Sequence, residues 1–217
     1  MRRERTKAIP TKVLQKIYKN HKYNQTINKV EKLITKEIDQ DILDKSIILI
    51  GPMGSGKSSV AKKLSEKTGI ERLSLDNREQ LKNIYEKEKE FNHFKEFELY
   101  LTTKTLTDLK DPKIIDFGAG HSIYEDEKMY SLAKNLISNF KNVVLLIPSE
   151  DKEESISILN ERKGIRPGSN DDETNRLFVG LPNNHEITKY TIYTKDKTPE
   201  EISDDLIKII KSKEKTR

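Results

Sequence analysis

The sequence predicts an α/β protein in three layers, a five-stranded parallel sheet between two sets of helices, preceded by an N-terminal helical extension. Three observations carry this. From Ser46 onward short apolar runs alternate with amphipathic stretches, the pattern of strands joined by crossover helices. The first run, Ile47-Ile48-Leu49-Ile50, leads directly into a glycine-rich segment and then into a helical pattern through Val60, Ala61 and Leu64. The final stretch opens on a helix start signal, Thr198-Pro199-Glu200-Glu201.

The chain is long enough, at 217 residues, to bury one sizeable core, and with 33% hydrophobic and 35% charged residues its surface must be densely ionic. The absence of cysteine excludes disulfides, thiol nucleophiles and cysteine-based metal sites together. No apolar run approaches the ~20 residues of a membrane span, and the basic N-terminus lacks the apolar core of a signal peptide. A cytoplasmic protein is expected, with no membrane contact. The formal charge of +5 is unevenly placed: residues 1–45 hold twelve Lys and Arg against six Asp and Glu. The basicity therefore belongs to an extension over 1–45 and not to the body over 46–217.

Within the extension the opening Met1-Arg2-Arg3-Glu4-Arg5-Thr6-Lys7 reads as disordered and Pro10 marks a helix start. Val13, Leu14, Ile17 and Tyr18, then Ile27, Val30, Leu33, Ile34 and Ile38, recur at helical spacing and predict two helices broken near His21 to Asn24, packed on the body or on a protein partner. Their basic faces are first of all solvated surface, with nucleic-acid contact the lesser alternative.

The segment Gly51-Pro52-Met53-Gly54-Ser55-Gly56-Lys57-Ser58 fits G-x-x-x-x-G-K-[ST], the P-loop, in the strand–loop–helix context the motif requires. Glycines at 51, 54 and 56 let successive N–H groups turn inward around a phosphate, and the helix opening near Lys57 adds its positive end. Lys57 would reach the β- and γ-phosphates of a nucleoside triphosphate, Ser58 would hold Mg²⁺, and Ser59 follows on the same helix turn. A bare glycine turn does not call for lysine and serine at those two places.

A second strand is expected at Glu71 to Leu75, ending at Asp76, then a long charged helical region to about Lys110 with Phe91, Phe94, Leu99, Leu101, Leu106 and Leu109 as core candidates. Lys113 to Phe117 is a third strand, closing on Gly118-Ala119-Gly120; a helix around Glu125 to Asn139 leads to a fourth strand, Asn142 to Ile147. Another helix runs from Asp151 to Arg162. Gly164 to Asn175 is polar with little to bury and is expected to move. A short helix after Pro182, a fifth strand at Tyr190 to Tyr193 and a last helix with Ile202, Leu206, Ile209 and Ile210 on one face complete the body.

This order of parts resembles shikimate kinase, a small P-loop phosphotransferase related in fold to the nucleoside monophosphate kinases. The resemblance runs from about Ser46 to Lys211. It rests on Gly51 to Ser58, Asp76 after the second strand, Gly118-Ala119-Gly120 after the third, and Arg166-Pro167 in the polar segment, with a weaker match at Phe94-Lys95-Glu96-Phe97-Glu98 and in the tail from Tyr193 to Glu201. The resemblance implies ATP and Mg²⁺ as cofactors, Lys57, Asp76 and Arg166 as catalytic residues, and a lid over about 163–178. It also implies Arg162 beside the adenine, and Asp76, Lys95, Gly118, Ala119 and Gly120 around a small-molecule acceptor.

The departures concern the acceptor side. Ser74 stands where the family has a first aspartate, and Asp116 could supply the missing metal-side carboxylate; its plain alternative is a strand-end turn residue. Lys95 replaces a carboxylate-gripping arginine and loses the bidentate fork, Gly180 falls where another arginine is expected, and Ala119 replaces the middle glycine. His121 is a further acceptor-side candidate, or an ordinary turn residue. The expected activity is transfer of the γ-phosphoryl of ATP to a hydroxyl of a small polar metabolite. Two other readings are the same fold acting on a nucleoside, nucleotide, sugar acid or polynucleotide end, and an ATP-binding regulatory module.

Overall fold

The computed structural model describes residues 11–75 and 91–214. Asp76, the first ten residues and the stretch 77–90 lie outside the described residues. The helices are α1 (Thr11–Ile34), α2 (Gln40–Lys45), α3 (Lys57–Thr68), α4 (Phe94–Thr107), α5 (Glu127–Ile137), α6 (Lys152–Lys163), α7 (Asn170–Gly180), α8 (Asn183–Ile187) and α9 (Pro199–Glu214). The strands are β1 (Ile47–Ile50), β2 (Arg72–Ser74), β3 (Ile114–Asp116), β4 (Asn142–Ile147) and β5 (Tyr190–Tyr193).

All five strands are parallel, in the order β2-β3-β1-β4-β5. Sheet burial follows strand alternation. Ile48, Ile50, Ile115, Phe117, Val143 and Leu145 pack into the core that holds α1, α2, α4 and α5. Ile47, Leu49, Ile114, Val144 and Leu146 pack under α3 and α9. Both faces of β1 and β4 are covered, which is why these two strands read as unbroken apolar runs. β1 lies between β3 and β4, so the chain leaves its carboxyl end at the point where connections diverge to either side, the usual place of a ligand crevice in such sheets.

The predicted break in the extension is not there: α1 continues through His21 to Asn24. Those residues include no proline or glycine, and the Thr26 hydroxyl bonds back to the Lys22 carbonyl at 3.2 Å, along the helix. The chain breaks instead at 35–39, where Thr35 bonds the Lys32 carbonyl and Asp39 caps α2 by accepting the Asp41 N–H at 2.8 Å.

Side chains of α1 are part of the body's core. Ile27 and Val30 are buried with Leu99, Leu106 and Leu136. Tyr23 donates to Asp126, which itself caps α5 through the Met129 N–H, and burial followed by that bond pushes the Tyr23 phenol up to about 12.

The polar segment also holds more structure than its composition suggests. Its second half is α7, capped by Ser169 on the Asp172 N–H, with Asp172, Asn175, Phe178 and Val179 buried. The start signal at Thr198 is realised as a capping box. The Thr198 hydroxyl accepts the Glu201 N–H, and Glu201 accepts the Thr198 N–H at 2.8 Å.

Val30 is fully buried beneath α4 and α5. Val30→Ala is expected to lower unfolding free energy by about 2 kcal/mol, from lost apolar burial plus the cavity left behind. Urea denaturation of the whole chain checks this: the body's transition must shift, whereas an independently folding arm would leave its midpoint unmoved.

Candidate active site

Gly51 follows the last residue of β1 and turns the chain away from the sheet beside β4. Its own φ is ordinary, but a Cβ there would lie 2.5 Å from the Leu146 carbonyl, so glycine is required by close approach. Gly54 and Gly56 have φ of 87° and 89°, the left-handed region the motif predicts. Gly56 is the N-cap of α3 and offers no side-chain cap, which leaves the helix head's N–H groups to whatever anion enters the loop. Lys57 is buried, and its Nζ donates to the Pro52 carbonyl at 3.0 Å, across the mouth of the loop. Ser55 has a buried hydroxyl without a hydrogen-bond partner among the described residues. Ser58 is half-buried and Ser59 exposed.

The loop is held from behind by α6 and α7. Asn175, fully buried, accepts the Met53 N–H at 3.1 Å and donates to the Met53 carbonyl at 3.4 Å. A Cβ on Gly54 would lie 3.0 Å from the Leu159 carbonyl. Asn160 donates to Asp172, whose other oxygen accepts the Gly168 N–H at 2.8 Å. That N–H first, then the Asn160 amide and Arg176, hold the Asp172 carboxyl below its usual range. A carboxyl depressed in this way stabilises the fold above the unfolded value near pH ~4, and loses that contribution only as pH falls through the folded value. The network is therefore expected to stay intact through the neutral range.

Asp116 ends β3, level with Leu49 of β1 and Ser74 of β2. Strand alternation puts it with Ile114 on the face that α3 covers. Its side chain is fully buried: Oδ2 accepts from the Arg72 guanidinium at 2.7 Å, while Oδ1 has no partner among the described residues. A turn residue would be solvated; this carboxylate is not. Among the described residues no group of three or more acidic or histidine side chains could hold a metal. Mg²⁺ bound to nucleotide needs only one or two protein oxygens beside phosphate and water. The Ser58 hydroxyl and the orphan Asp116 oxygen fit that donor set.

On the acceptor side, Phe117 donates its N–H to the Leu49 carbonyl at 3.1 Å, so the Gly118–Gly120 turn leaves the sheet one strand away from the phosphate loop. Lys95 is brought to this turn, where its Nζ donates to the Gly120 carbonyl at 2.7 Å and pairs with Glu98 at 2.8 Å. A Cβ on Gly120 would lie 2.2 Å from that Glu98 carboxylate, so a side chain at 120 would have to displace Glu98 from its place beside Lys95. Ala119 opens the short helical turn Ala119–Ser122. His121 is 1% exposed and shares a 2.8 Å hydrogen bond with the Thr102 hydroxyl; the structure assigns it to packing under the turn.

Arg162 is directed at the chain after β5, donating to the Thr194 carbonyl at 3.0 Å, and helps line a cavity of about 420 Å³ with Ile158, Glu161, Lys195 and Asp196. Arg166 is exposed on the 164–169 loop and has no side-chain partner among the described residues. Gly180 is exposed at the end of α7 with open space around it. A second cavity, about 880 Å³, opens at the opposite end of the sheet beside Asn142 and Tyr190, away from all these groups.

Sequence reasoning misses Arg72, Asn160, Asp172 and Asn175. Strand alternation is the signal that could have found Arg72, since it aims this residue along the same face as Ser74. The other three sit in a stretch whose polarity reads as solvated surface.

A family model described as AAA domain matches residues 47–164, more than half of the chain, and the chain belongs to that family. No curated protein matches the sequence. Among solved structures it is similar to shikimate kinase from Acinetobacter baumannii in complex with shikimate, at a TM-score of 0.60 and 18% identity over 85% of this chain and 98% of that one. It is similar also to shikimate kinase from Aquifex aeolicus, at 0.55 and 22% over 77% and 97%. A gluconokinase from Sinorhizobium meliloti gives 0.51 and 15% over 78% and 93%. At such identities the likeness is one of fold: this is the P-loop kinase fold that shikimate kinase and gluconokinase share.

Arg72→Ala would strand a buried carboxylate. The expected cost is about 2 to 3 kcal/mol in urea unfolding, below the full value for a buried pair because Arg72 is itself about one-third exposed. A change under about 1 kcal/mol would mark the pair as an ordinary surface bridge.

Proposed function

We propose that this chain is an ATP- and Mg²⁺-dependent kinase that passes the γ-phosphoryl group to a hydroxyl of a small polar metabolite. One observation carries the reading: a phosphate loop feeding an uncapped helix head stands one strand away from a second glycine turn that Lys95 and Glu98 hold in shape. Donor and acceptor of a phosphoryl group need adjacent sites of that kind.

In this reading the N–H groups of Gly54 to Ser58 cradle the phosphates, and Lys57 exchanges its bond to the Pro52 carbonyl for the β- and γ-oxygens. Pro52, Met53 and Ser59 complete the loop's contact surface. Arg162 and the cavity beside Asp196 receive the adenine. Mg²⁺, when bound, neutralises charge across the β- and γ-phosphates; Ser58 and Asp116 are the residues that would hold it. The acceptor hydroxyl, positioned over Gly118 to Gly120, gives its proton to Asp76 as its oxygen bonds to the γ-phosphorus. The bond from that phosphorus to the bridging oxygen breaks, and ADP leaves. Arg166 folds over the transferring group from the 164–169 loop.

Lys95 is already shared between Glu98 and the Gly120 carbonyl, and lysine lacks the fork that clamps a carboxylate. This widens the acceptor class from shikimate to a sugar acid, nucleoside or nucleotide. A polynucleotide end would be marked by activity that falls steeply with salt.

The test is transfer from γ-labelled ATP with Mg²⁺, in parallel with shikimate, with a pooled metabolite extract and with no acceptor. Label is expected on a small molecule in at least one of the first two. No label in either, with ATP binding intact, overturns the kinase reading in favour of a regulatory module.

With the acceptor identified, Asp76→Asn should keep nucleotide affinity and lose about 10² to 10⁴ in kcat. Arg166→Ala should lose about 10³ or more. An Asp76→Asn protein of full activity would remove Asp76 as the base.

A further inference from the structure

The link between Asn175 and the phosphate loop is more than a packing contact. One carboxamide engages both backbone groups of a single loop residue, Met53, as a paired strand would, and it does so fully buried. The same Asn175 Nδ2 lies 3.5 Å from Asn160 Oδ1, Asn160 donates to Asp172 at 2.5 Å, and Asp172 accepts the Gly168 N–H at 2.8 Å. Gly168 is two residues from Arg166 and has φ of 76°, a conformation that this bond helps to fix. A chain of hydrogen bonds, buried at its centre and partly exposed at both ends, with its longest link the 3.5 Å Asn175–Asn160 contact, therefore runs from the phosphate loop to the backbone that carries the exposed arginine.

A second contact ties the loop to α6. The space behind Gly54 is closed by the Leu159 carbonyl and by Lys163, both on α6, within about 3 Å of where a Cβ would stand. Any displacement of the loop would press on α6 or pull on the Met53–Asn175 pair. Both lead to the 164–169 loop.

We infer that Asn175 is a positioning residue that couples occupancy of the phosphate loop by a nucleoside triphosphate to the order of the 164–169 segment. The coupling rests on the reading of Gly51 to Ser58 as a nucleotide site. It gives the polar segment a reason to bury three polar side chains, Asn160, Asp172 and Asn175, at a place where apolar residues would pack at least as well: the carboxamide and carboxylate transmit a position, and methyl groups would not.

Hydrogen–deuterium exchange on the full chain, with and without ATP and Mg²⁺, reads this directly. In the native protein nucleotide should slow exchange both in the peptide covering Gly51 to Val60 and in the peptide covering Gly164 to Ser169. In Asn175→Ala, at ATP saturating for the variant, the second response should be lost whatever release of Met53 does to the first.

Asn160→Ser cuts the chain one link further on and leaves the Met53 bonds in place. It should lose the same distal response, and so serves where Asn175→Ala folds poorly. An unchanged response at Gly164 to Ser169 in either folded variant, or none there in the native protein despite ATP binding by calorimetry, overturns the coupling alone. Absence of ATP binding to the native chain overturns the nucleotide reading and the coupling together.

Discussion

The N–H groups at the head of α3 are the constraint on which the rest of the structure depends. A helix leaves its first N–H groups without intrahelical partners, and the N-cap here is Gly56, which has no side chain to cap them. The loop around them is packed closely against its surroundings. Gly51 lies against the Leu146 carbonyl, Gly54 lies against α6, and Met53 is held by Asn175. On the proposed reading this loop is an anion site, its phosphate donors drawn from the backbone beside the helix head. Lys57, bonded to the Pro52 carbonyl, adds a positive charge at its mouth.

Around that loop the distribution of buried polarity is uneven in a way the chemistry explains. Both faces of β1 and β4 are apolar, and their hydrogen bonds go to neighbouring strands. Several of the buried polar side chains gather near the carboxyl edge of the sheet: Ser55 and Lys57 on the loop, Asp116 at the end of β3, Glu98 and His121 around the glycine turn. Burying a carboxylate such as Asp116 is costly unless it is paired, and Arg72 satisfies only one of its two oxygens. A core built for stability alone would replace both residues by apolar ones. Their place at this edge, beside the loop, is what the proposed metal role of Asp116 would call for.

Much of this is legible in the sequence, and what is not has specific causes. β4 and β5 fall where the apolar runs place them, and the capping box at Thr198 forms as its spacing requires. These features are set by local periodicity and local bonding. The continuity of α1 past Asn24 depends on contacts with Asp126 and with the core beneath α4, more than sixty residues away in sequence, which local polarity does not report. The same reason hides α7. Asp172 and Asn175 look solvated until Gly168, Asn160 and Met53 are brought to them. Polarity in a sequence states that a group needs a hydrogen bond; only the fold states where the bond comes from.

That distinction separates the two halves of the site. Phosphate is recognised by backbone, so its site is written in glycines and in one lysine, which a linear motif can carry. The acceptor would be recognised by side chains drawn from α4, from the turn after β3 and from the residue after β2, three places joined only by topology. Lys95 bears the consequence. The resemblance puts a carboxylate-binding cation at this position, and in the fold Lys95 holds the Gly120 carbonyl and the Glu98 carboxylate. A residue that keeps the turn in shape and also greets a ligand must be able to exchange one partner for the other. Lysine, a flexible point charge with three donors, can make that exchange where the rigid fork of arginine could not.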